Sequence, residues 1–306
     1  MMARVARRGG SYLAYLAALL VVLGVAVAQA AELRGSKPTY YDSEPGNPPN
    51  VDAMDRKFWA PGLNEGYVPQ GISFADGKVL MSAYRSEDPK VGSGPTRVYA
   101  VHADSGAELG NFDLPAAFGH AGGLAWDRGA KRLYVSDTRR LLRVDLARAL
   151  AGEGSAAFER SWDLSGELRG SFAAFHDGQV WLGTWHPERS ARIYAIPLAA
   201  LDTNGILTEA HARRSVEIPE RAQGASFHPD GSLWTSHSSS RFGELLKLDA
   251  RSGKVLARFD APIGIEDLGF DSDGRLWSVS EAGAKRWLYW QLFFPLVFRI
   301  DPGKLQ

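Results

Sequence analysis

In this chain of 306 residues, three carboxylates and two amides are the side chains best suited to bind a metal ion. Asp137, Glu266 and Glu281 supply carboxylate oxygens, and Gln70 and Gln223 supply amide oxygens. Oxygen ligands of this kind favour hard divalent cations such as Ca²⁺ or Mg²⁺. If the fold gathers them, we expect Asp137, Glu266 and Glu281 to hold a divalent cation, with Ca²⁺ as the expected ion.

Two histidines stand at comparable positions in the sequence. His120 and His237 are candidates for general base and general acid beside a metal-bound water or a polarised carbonyl. Zinc is less favoured, because the chain has no H-E-x-x-H or comparable spacing. The side chains expected to bind the ligand are Gln70, Tyr84, Arg85, Trp185 and Gln223.

These residues belong to a sequence pattern that occurs five times. Each copy begins with a short apolar segment, such as "QGISF" at 70–74, and four copies continue with an Asp-Gly pair. Such pairs suit tight hairpins because both residues tolerate positive φ. Two further apolar strands follow, and four copies end in a tail such as "FDAP" at 259–262. The pattern predicts four-stranded antiparallel sheets.

The missing fifth tail is "FWAP" at 58–61, which stands before the first copy. In a closed ring of blades, a strand from the N-terminus often completes the last blade and leaves no open edge. We therefore predict an all-β fold, a five-bladed β-propeller closed by residues 57–61. A six-bladed ring, with a degenerate blade within residues 31–56, is the alternative.

Antiparallel pairing places the polar residues at one end of this ring. In each blade the start of the first strand and the end of the second lie on the same face, and the first strand lines the axis. We therefore expect a ligand or metal site at the mouth of the axial channel. The aromatic residues that recur in the second strands are expected to fill the space between blades: Tyr134, Trp181, Trp234 and Trp277.

The units "PDGSLWTSH" at 229–237 and "DSDGRLWSVSE" at 271–281 resemble the propellers of the gluconolactonase, regucalcin and calcium-dependent phosphotriesterase superfamily. The segments at 67–74 and 120–126 also resemble secreted bacterial propellers of that type. The resemblance implies a divalent cation at the axial mouth and hydrolysis of lactones, esters or phosphotriesters. By position, Glu266 matches the axial glutamate and Asp137 an aspartate ligand. The chain departs from the family in having five units instead of six and no asparagine at a matching strand position.

Residues 1–30 have the layout of a signal peptide, with arginines, an apolar run and an A-x-A site at 28–30. We expect cleavage near Ala30 and a periplasmic or secreted protein. Residues 31–56 are expected to be a flexible leader before a single propeller domain at 57–306. The near balance of acidic and basic residues argues against a nucleic-acid partner. We expect a monomer.

The aromatic segment Trp287–Phe294 interrupts the last copy of the pattern. It is too short to span a bilayer as a helix, which needs about 20 residues. It is expected either to pack on the propeller or to contact a membrane surface or an envelope protein.

The functional interpretation is an exported propeller that hydrolyses lactones, esters or phosphotriesters with the help of a divalent cation. The alternative is a non-catalytic propeller that binds a small molecule, a glycan or an envelope protein. A glycosidase is a third possibility, because its two carboxylates, about 5–9 Å apart, could come from the same residues.

Overall fold

The computed structural model describes residues 32–306, which form one compact unit. The predicted signal peptide at 1–30 lies outside the described residues. Within the described part, no helix is both long enough and apolar enough to cross a bilayer.

Five sheets follow one another along the chain. Two strands precede the first sheet: β1 (Leu33–Arg34) and β2 (Met54–Trp59), with the 3₁₀ turn Val51–Ala53 between them. The first blade pairs four strands in sequence order: β3 (Tyr67–Ala75), β4 (Lys78–Arg85), β5 (Thr96–His102) and β6 (Glu108–Asp113). The second blade contains β7 (Gly123–Asp127), β8 (Arg132–Asp137), β9 (Arg140–Asp145) and β10 (Phe158–Leu164), with helix α1 (Leu146–Leu150) and the 3₁₀ turn Gly154–Ala157 before β10.

The third blade begins with β11 (Phe172–His176), β12 (Gln179–Gly183) and β13 (Ala191–Pro197). Helix α2 (Leu198–Thr203), strand β14 (Ile206–Leu207) and the turn Glu209–His211 follow, and β15 (Arg214–Ile218) completes the blade. Strand β14 pairs in parallel with β10 of the second blade. The fourth blade contains β16 (Ala222–Phe227), β17 (Leu233–Ser238), β18 (Gly243–Leu248) and β19 (Val255–Asp260). The fifth blade contains β20 (Ile265–Phe270), β21 (Leu276–Ser280) and β22 (Leu296–Ile300). Two 3₁₀ turns, at Lys285–Trp287 and Pro302–Lys304, precede and follow β22.

The N-terminal strand closes the ring, as the displaced tail predicted. Strand β2 pairs antiparallel with β22, with Phe58 opposite Val297 and Trp59 opposite Leu296. The first strands of neighbouring blades contact one another around the axis, in the order β3, β7, β11, β16, β20 and back to β3. The five-bladed prediction is therefore confirmed. The six-bladed alternative is wrong, because residues 32–56 contribute to the edge of the fifth blade and form no blade of their own.

The hairpin turns and the aromatic positions follow from local sequence. Asp76 and Gly77 have φ of 49° and 80°, the paired positive values that a tight hairpin turn requires. The recurrent aromatic residues of the second strands are buried between the sheets: Tyr134, Trp181, Trp234 and Trp277.

Residues 32–56, the described part of the expected leader, contact the propeller at several points. The described part of this segment belongs to the same compact unit as the propeller. Strand β1 pairs in parallel with β2, and the backbone N–H of Gly46 donates to the carbonyl of Phe293 at 2.9 Å. The Tyr40 hydroxyl donates to the carbonyl of Gly283 at 2.8 Å. The partners of Tyr40 and Gly46 lie more than 200 residues away along the chain, so composition alone could not indicate them.

Removing the Tyr40 hydroxyl tests this docking. We expect Tyr40→Phe to lower the free energy of unfolding by about 0.5–1.5 kcal/mol, the usual net value of one hydrogen bond. Tyr289→Phe is the matched control, because Tyr289 is 96% exposed and its replacement should change nothing. Urea denaturation of both variants measures the difference. Equal stability of the two variants would mean that the leader is not held at Tyr40.

Candidate functional site

The axial mouth contains a cavity of about 820 Å³. It is built by the connections that lead into the first strands and by the loops between the second and third strands. The loops of the first, second, third and fifth blades all reach it. Its lining includes Gln70, Tyr84, Ser93, His120, Asp137, Thr138, Ser171, Trp185, Gln223, Glu266, Glu281, Arg286 and Trp287.

Irregular first strands aim the polar side chains at the axis. The pairing register of β3 shifts next to Gln70, that of β16 next to Gln223, and that of β20 next to Glu266. A bulge of this kind re-aims a side chain that regular alternation would place elsewhere. Gly71 and Gly224 follow the two glutamines, at positions where the adjacent blade leaves no space for a side chain. A Cβ on Gly224 would lie 2.3 Å from the Cα of Asp267.

Two buried glutamates meet on the floor of the cavity. The carboxyls of Glu266 and Glu281, which are 4% and 7% exposed, lie close enough to interact with each other. The Gln223 amide donates to Glu266 Oε1 at 3.1 Å, and the Gln70 amide donates to Glu281 Oε2 at 3.2 Å. Trp287 Nε1 also donates to Glu281 Oε2, at 2.7 Å. The arrangement is a carboxyl pair with a hydrogen-bond donor on each side.

Burial favours a proton on this pair. Desolvation raises the pKa of Glu281 to about 7, and the donors from Trp287 and Gln70 oppose that rise. Desolvation also raises the pKa of Glu266 well above its usual range, and repulsion from Glu281 and Asp267 adds to the effect. Two buried carboxylates that interact with each other cannot both ionise cheaply. Near neutral pH the pair therefore holds a proton that can be donated and an oxygen that can accept one.

A cation and two rings form the wall above the pair. Arg286 donates to the Tyr84 hydroxyl, and its guanidinium lies 4.1 Å from the centre of the Trp287 ring. The rings of Tyr84 and His120 stack with centroids 4.8 Å apart. His120 Nδ1 lies 2.7 Å from the carbonyl of Gly92. Burial lowers the pKa of His120 and raises that of Tyr84, so both side chains are neutral at pH 7.

Two residues that were not predicted as site residues also line the cavity: Trp287, the first residue of the aromatic segment Trp287–Phe294, and Arg286 just before it. They lie in the loop between β21 and β22. Phe293 and Phe294 of the same loop are buried against the propeller, whereas Tyr289 is fully exposed. The insertion was visible in the repeat pattern, but no local signal showed that its first residues turn towards the axis.

The structure places two predicted site residues outside the axial cavity. His237 is buried outside the cavity lining, where Nδ1 lies 2.7 Å from the carbonyl of Glu220 and Nε2 lies 2.8 Å from the Thr235 hydroxyl. Desolvation lowers the pKa of His237 to about 4. Arg85 is exposed and lines a neighbouring surface cavity. Alternation along a strand sends these two side chains away from the axis, so neither is available to an axial ligand.

Asp137 lines the axial cavity, but its carboxylate is already engaged. Oδ2 accepts the backbone N–H groups of His120 at 2.8 Å and Ala121 at 2.9 Å, and Oδ1 accepts that of Thr138 at 2.7 Å. It therefore holds the entry to β7 in shape. Among residues 32–306, no group of three or more histidine, aspartate or glutamate side chains is arranged to hold a metal ion. The three carboxylates predicted to share a cation are thus divided between a glutamate pair and a loop anchor.

Asp267 lies deeper in the channel and is fully buried. Its Oδ2 accepts the backbone N–H of Ile72 on β3 at 3.2 Å and that of Leu124 on β7 at 3.1 Å. Its Oδ1 has no hydrogen-bond partner among the described residues. Burial raises the pKa of Asp267 well above its usual range. This side chain ties the first strands of three blades together.

The comparisons with known proteins concern the fold. No protein-family model matches the chain, and no curated protein sequence matches it. The structure is similar to that of hydrazine synthase from Kuenenia stuttgartiensis, with 14% identity, 69% of this chain and 56% of that chain covered, and a TM-score of 0.41. It is similar to the WD40 β-propeller domain of Doa1, with 12% identity, 78% and 95% covered, and a TM-score of 0.41. It is also similar to a protein of unknown function from Bacteroides caccae, with 13% identity, 71% of this chain and 72% of that chain covered, and a TM-score of 0.42.

The chain therefore spans little more than half the length of the hydrazine synthase chain it matches. At these identities the similarity extends to the fold alone. The chain is an all-β propeller of five four-stranded blades.

Proposed function

We propose that this protein is an exported hydrolase of small esters or lactones, with Glu266 and Glu281 as its acid–base pair. One observation carries the proposal. Two buried glutamates that interact with each other lie on the floor of a polar cavity that is large enough for a small molecule. Titratable pairs whose pKa values are displaced by burial and by each other mark acid–base sites.

The chemistry needs one ionised and one protonated carboxyl. The ionised carboxylate takes a proton from a water molecule, whose oxygen forms the new bond to the acyl carbon. The protonated carboxyl gives its proton to the leaving alcohol oxygen as the old C–O bond breaks. Arg286 and the Tyr84 hydroxyl lie beside the pair and can stabilise the negative charge that develops on the carbonyl oxygen.

The separation of the carboxyls disfavours the glycosidase alternative. Glycosidases keep their two carboxyls at least about 5 Å apart, to leave room for the sugar carbon or a water molecule. The side chains of Glu266 and Glu281 interact with each other and shift each other's pKa. The shared-proton arrangement is suited to activating a water molecule at an acyl carbon.

A divalent cation such as Ca²⁺ fits this floor only in part. Glu266 and Glu281 could ligate it after losing the shared proton, and the amides of Gln70 and Gln223 could turn their oxygens towards it. Asp137 would add no ligand without releasing its three backbone N–H groups. A bound cation would polarise the carbonyl of the substrate. We propose Ca²⁺ as an occupant that competes with the shared proton.

Calorimetric titration at two pH values tests the competition. We expect Ca²⁺ to bind at pH 8.5 and to bind at least about tenfold more weakly at pH 5.5, because the ion must displace a proton from the pair. Glu266→Gln should abolish binding, whereas Glu87→Gln, which alters an exposed carboxylate, should leave it unchanged. Binding that survives in Glu266→Gln would place the cation elsewhere.

Turnover tests the hydrolase itself. p-Nitrophenyl acetate and δ-valerolactone represent the two proposed substrate classes, and diethyl p-nitrophenyl phosphate represents the phosphotriesters that the family resemblance implies. Their hydrolysis is followed by colour or by acid release. The Glu266→Gln protein is the control for adventitious activity. Binding of such compounds without turnover would favour the non-catalytic propeller instead.

A further inference from the structure

A second cavity adjoins the axial cavity over the third blade. It has a volume of about 610 Å³, and Thr138, Ser171 and Trp185 line both cavities. Its other lining residues come from the entry to β11, from the loop between β12 and β13, and from strands β13 and β15. The two cavities are therefore neighbours that meet at Trp185.

Trp185 forms the ridge between them. Its backbone N–H donates to the Ser171 hydroxyl at 3.1 Å, which fixes the start of the β12–β13 loop. Its side chain is 41% exposed, and no other tryptophan in residues 32–306 is among the exposed large apolar side chains. An exposed indole with polar cavities on both sides offers a flat apolar face to a ligand that lies across it.

The far side of the ridge carries arginines that lack ion pairs. Arg169 and Arg189 line the second cavity, and neither has a carboxylate within 4.0 Å among the described residues. Two carbonyls, those of Gly166 and Leu168, accept from Arg169 Nη1 at 2.6 and 2.7 Å and hold its guanidinium in place.

Three arginines and two glutamates line the second cavity, which leaves one positive charge in excess: Arg169, Arg189, Arg192, Glu167 and Glu217. Burial and the charge of Arg139 lower the pKa of Arg169, and the opposing effects of Glu167 and of Glu209 are each smaller. The third arginine of the cavity, Arg192, has Glu217 as its ion-pair partner at 3.9 Å. A carboxylate of a ligand would therefore be drawn to Arg169, because a guanidinium can bind it through two parallel N–H groups.

We propose that the two cavities form one cleft for an elongated acidic ligand, an oligosaccharide with carboxylate groups. One sugar ring lies on Trp185 and a carboxylate binds at Arg169. A pyranose fits because its C–H face is apolar while its edges carry hydroxyls for Thr138, Ser171 and the polar floor. Binding in this cleft is independent of the reaction. Only the position of an ester group over Glu266 and Glu281 rests on the proposed function.

Calorimetry with defined sugars tests the cleft. The probes are trigalacturonate, galacturonate and the neutral trisaccharide cellotriose. We expect trigalacturonate to bind at least about tenfold more tightly than either of the others, since only it can reach both the ridge and the arginine, a gain of about 1.4 kcal/mol. Trp185→Ala should weaken trigalacturonate binding by about tenfold, and Trp185→Phe should restore much of it. Arg169→Gln should remove the preference over cellotriose.

The controls separate this inference from the hydrolase proposal. Arg251→Gln changes an exposed arginine on a β18–β19 turn and should have no effect. If small esters are hydrolysed but trigalacturonate binds no better than cellotriose, the cleft inference is overturned and the hydrolase stands. Tight binding of trigalacturonate without turnover of any ester overturns the hydrolase and leaves the cleft. Trigalacturonate binding that is insensitive to both Trp185 and Arg169 also rejects the cleft.

Discussion

Replacing Glu281 by glutamine should reduce kcat for ester or lactone hydrolysis about 10²- to 10⁴-fold, the usual contribution of a positioned acid or base. Glutamine keeps the size and the hydrogen-bonding capacity of the side chain, so the buried donors of Trp287 and Gln70 retain an acceptor. What disappears is the proton that the pair shares. KM should change much less than kcat.

The double variant provides a sharper test of the pair. Glu266→Gln with Glu281→Gln should be no slower than either single variant, because residues that act as one unit lose their function together. Additive losses would show that the two glutamates act separately. Full activity of Glu281→Gln would move the chemistry away from this floor.

The same pair should make stability depend on pH in a definite direction. The pKa of Glu281 in the folded protein, about 7, lies above the ordinary value of 4.5 for an unburied glutamate. The folded protein therefore binds more protons than the unfolded chain between these values, and the free energy of unfolding should fall as pH rises across that window. Urea denaturation at several pH values measures this slope. Glu281→Gln should reduce it, whereas an unchanged slope would mean that burial does not hold a proton there.

Replacing Asp267 by alanine should cost about 2–6 kcal/mol of stability, because two buried backbone N–H groups lose their acceptor at about 1–3 kcal/mol each. These N–H groups, of Ile72 and Leu124, belong to the first and second blades, whereas Asp267 belongs to the fifth. Loss of the carboxyl therefore loosens the ring at its axis. Urea denaturation measures the loss.

Asparagine is the matched control at this position. Its carbonyl oxygen can occupy the place of Oδ2 and accept both N–H groups, and its amide takes the place of Oδ1, which has no partner among the described residues. Since burial already favours the neutral form of Asp267, Asp267→Asn should cost less than about 1 kcal/mol. Equal losses for alanine and asparagine would indicate that packing, and not the hydrogen bonds, explains the effect.

The repeat pattern was sufficient to predict the five-bladed architecture. The hairpin turns are local, since Asp76-Gly77 and its counterparts adopt their backbone shape from two adjacent residues. The recurring tail assigned β2 to the last blade, because a copied segment must pair like its copies. The positions of Gln70, Gln223, Glu266 and Glu281 at the mouth followed from strand direction alone, and the structure places all four on the lining of the axial cavity.

Which of these residues lie together depends on contacts between distant segments and could be seen only in the folded chain. Strand order gives the end of the sheet at which a residue lies but not the face that its side chain takes. His237 is directed away from the axis, while the register shift in β20 brings Glu266 to Glu281. Arg286 joins the site and residues 32–56 pack on the propeller through contacts between segments far apart in the chain. Such contacts depend on the closed ring as a whole, and short stretches of sequence carry no signal for them.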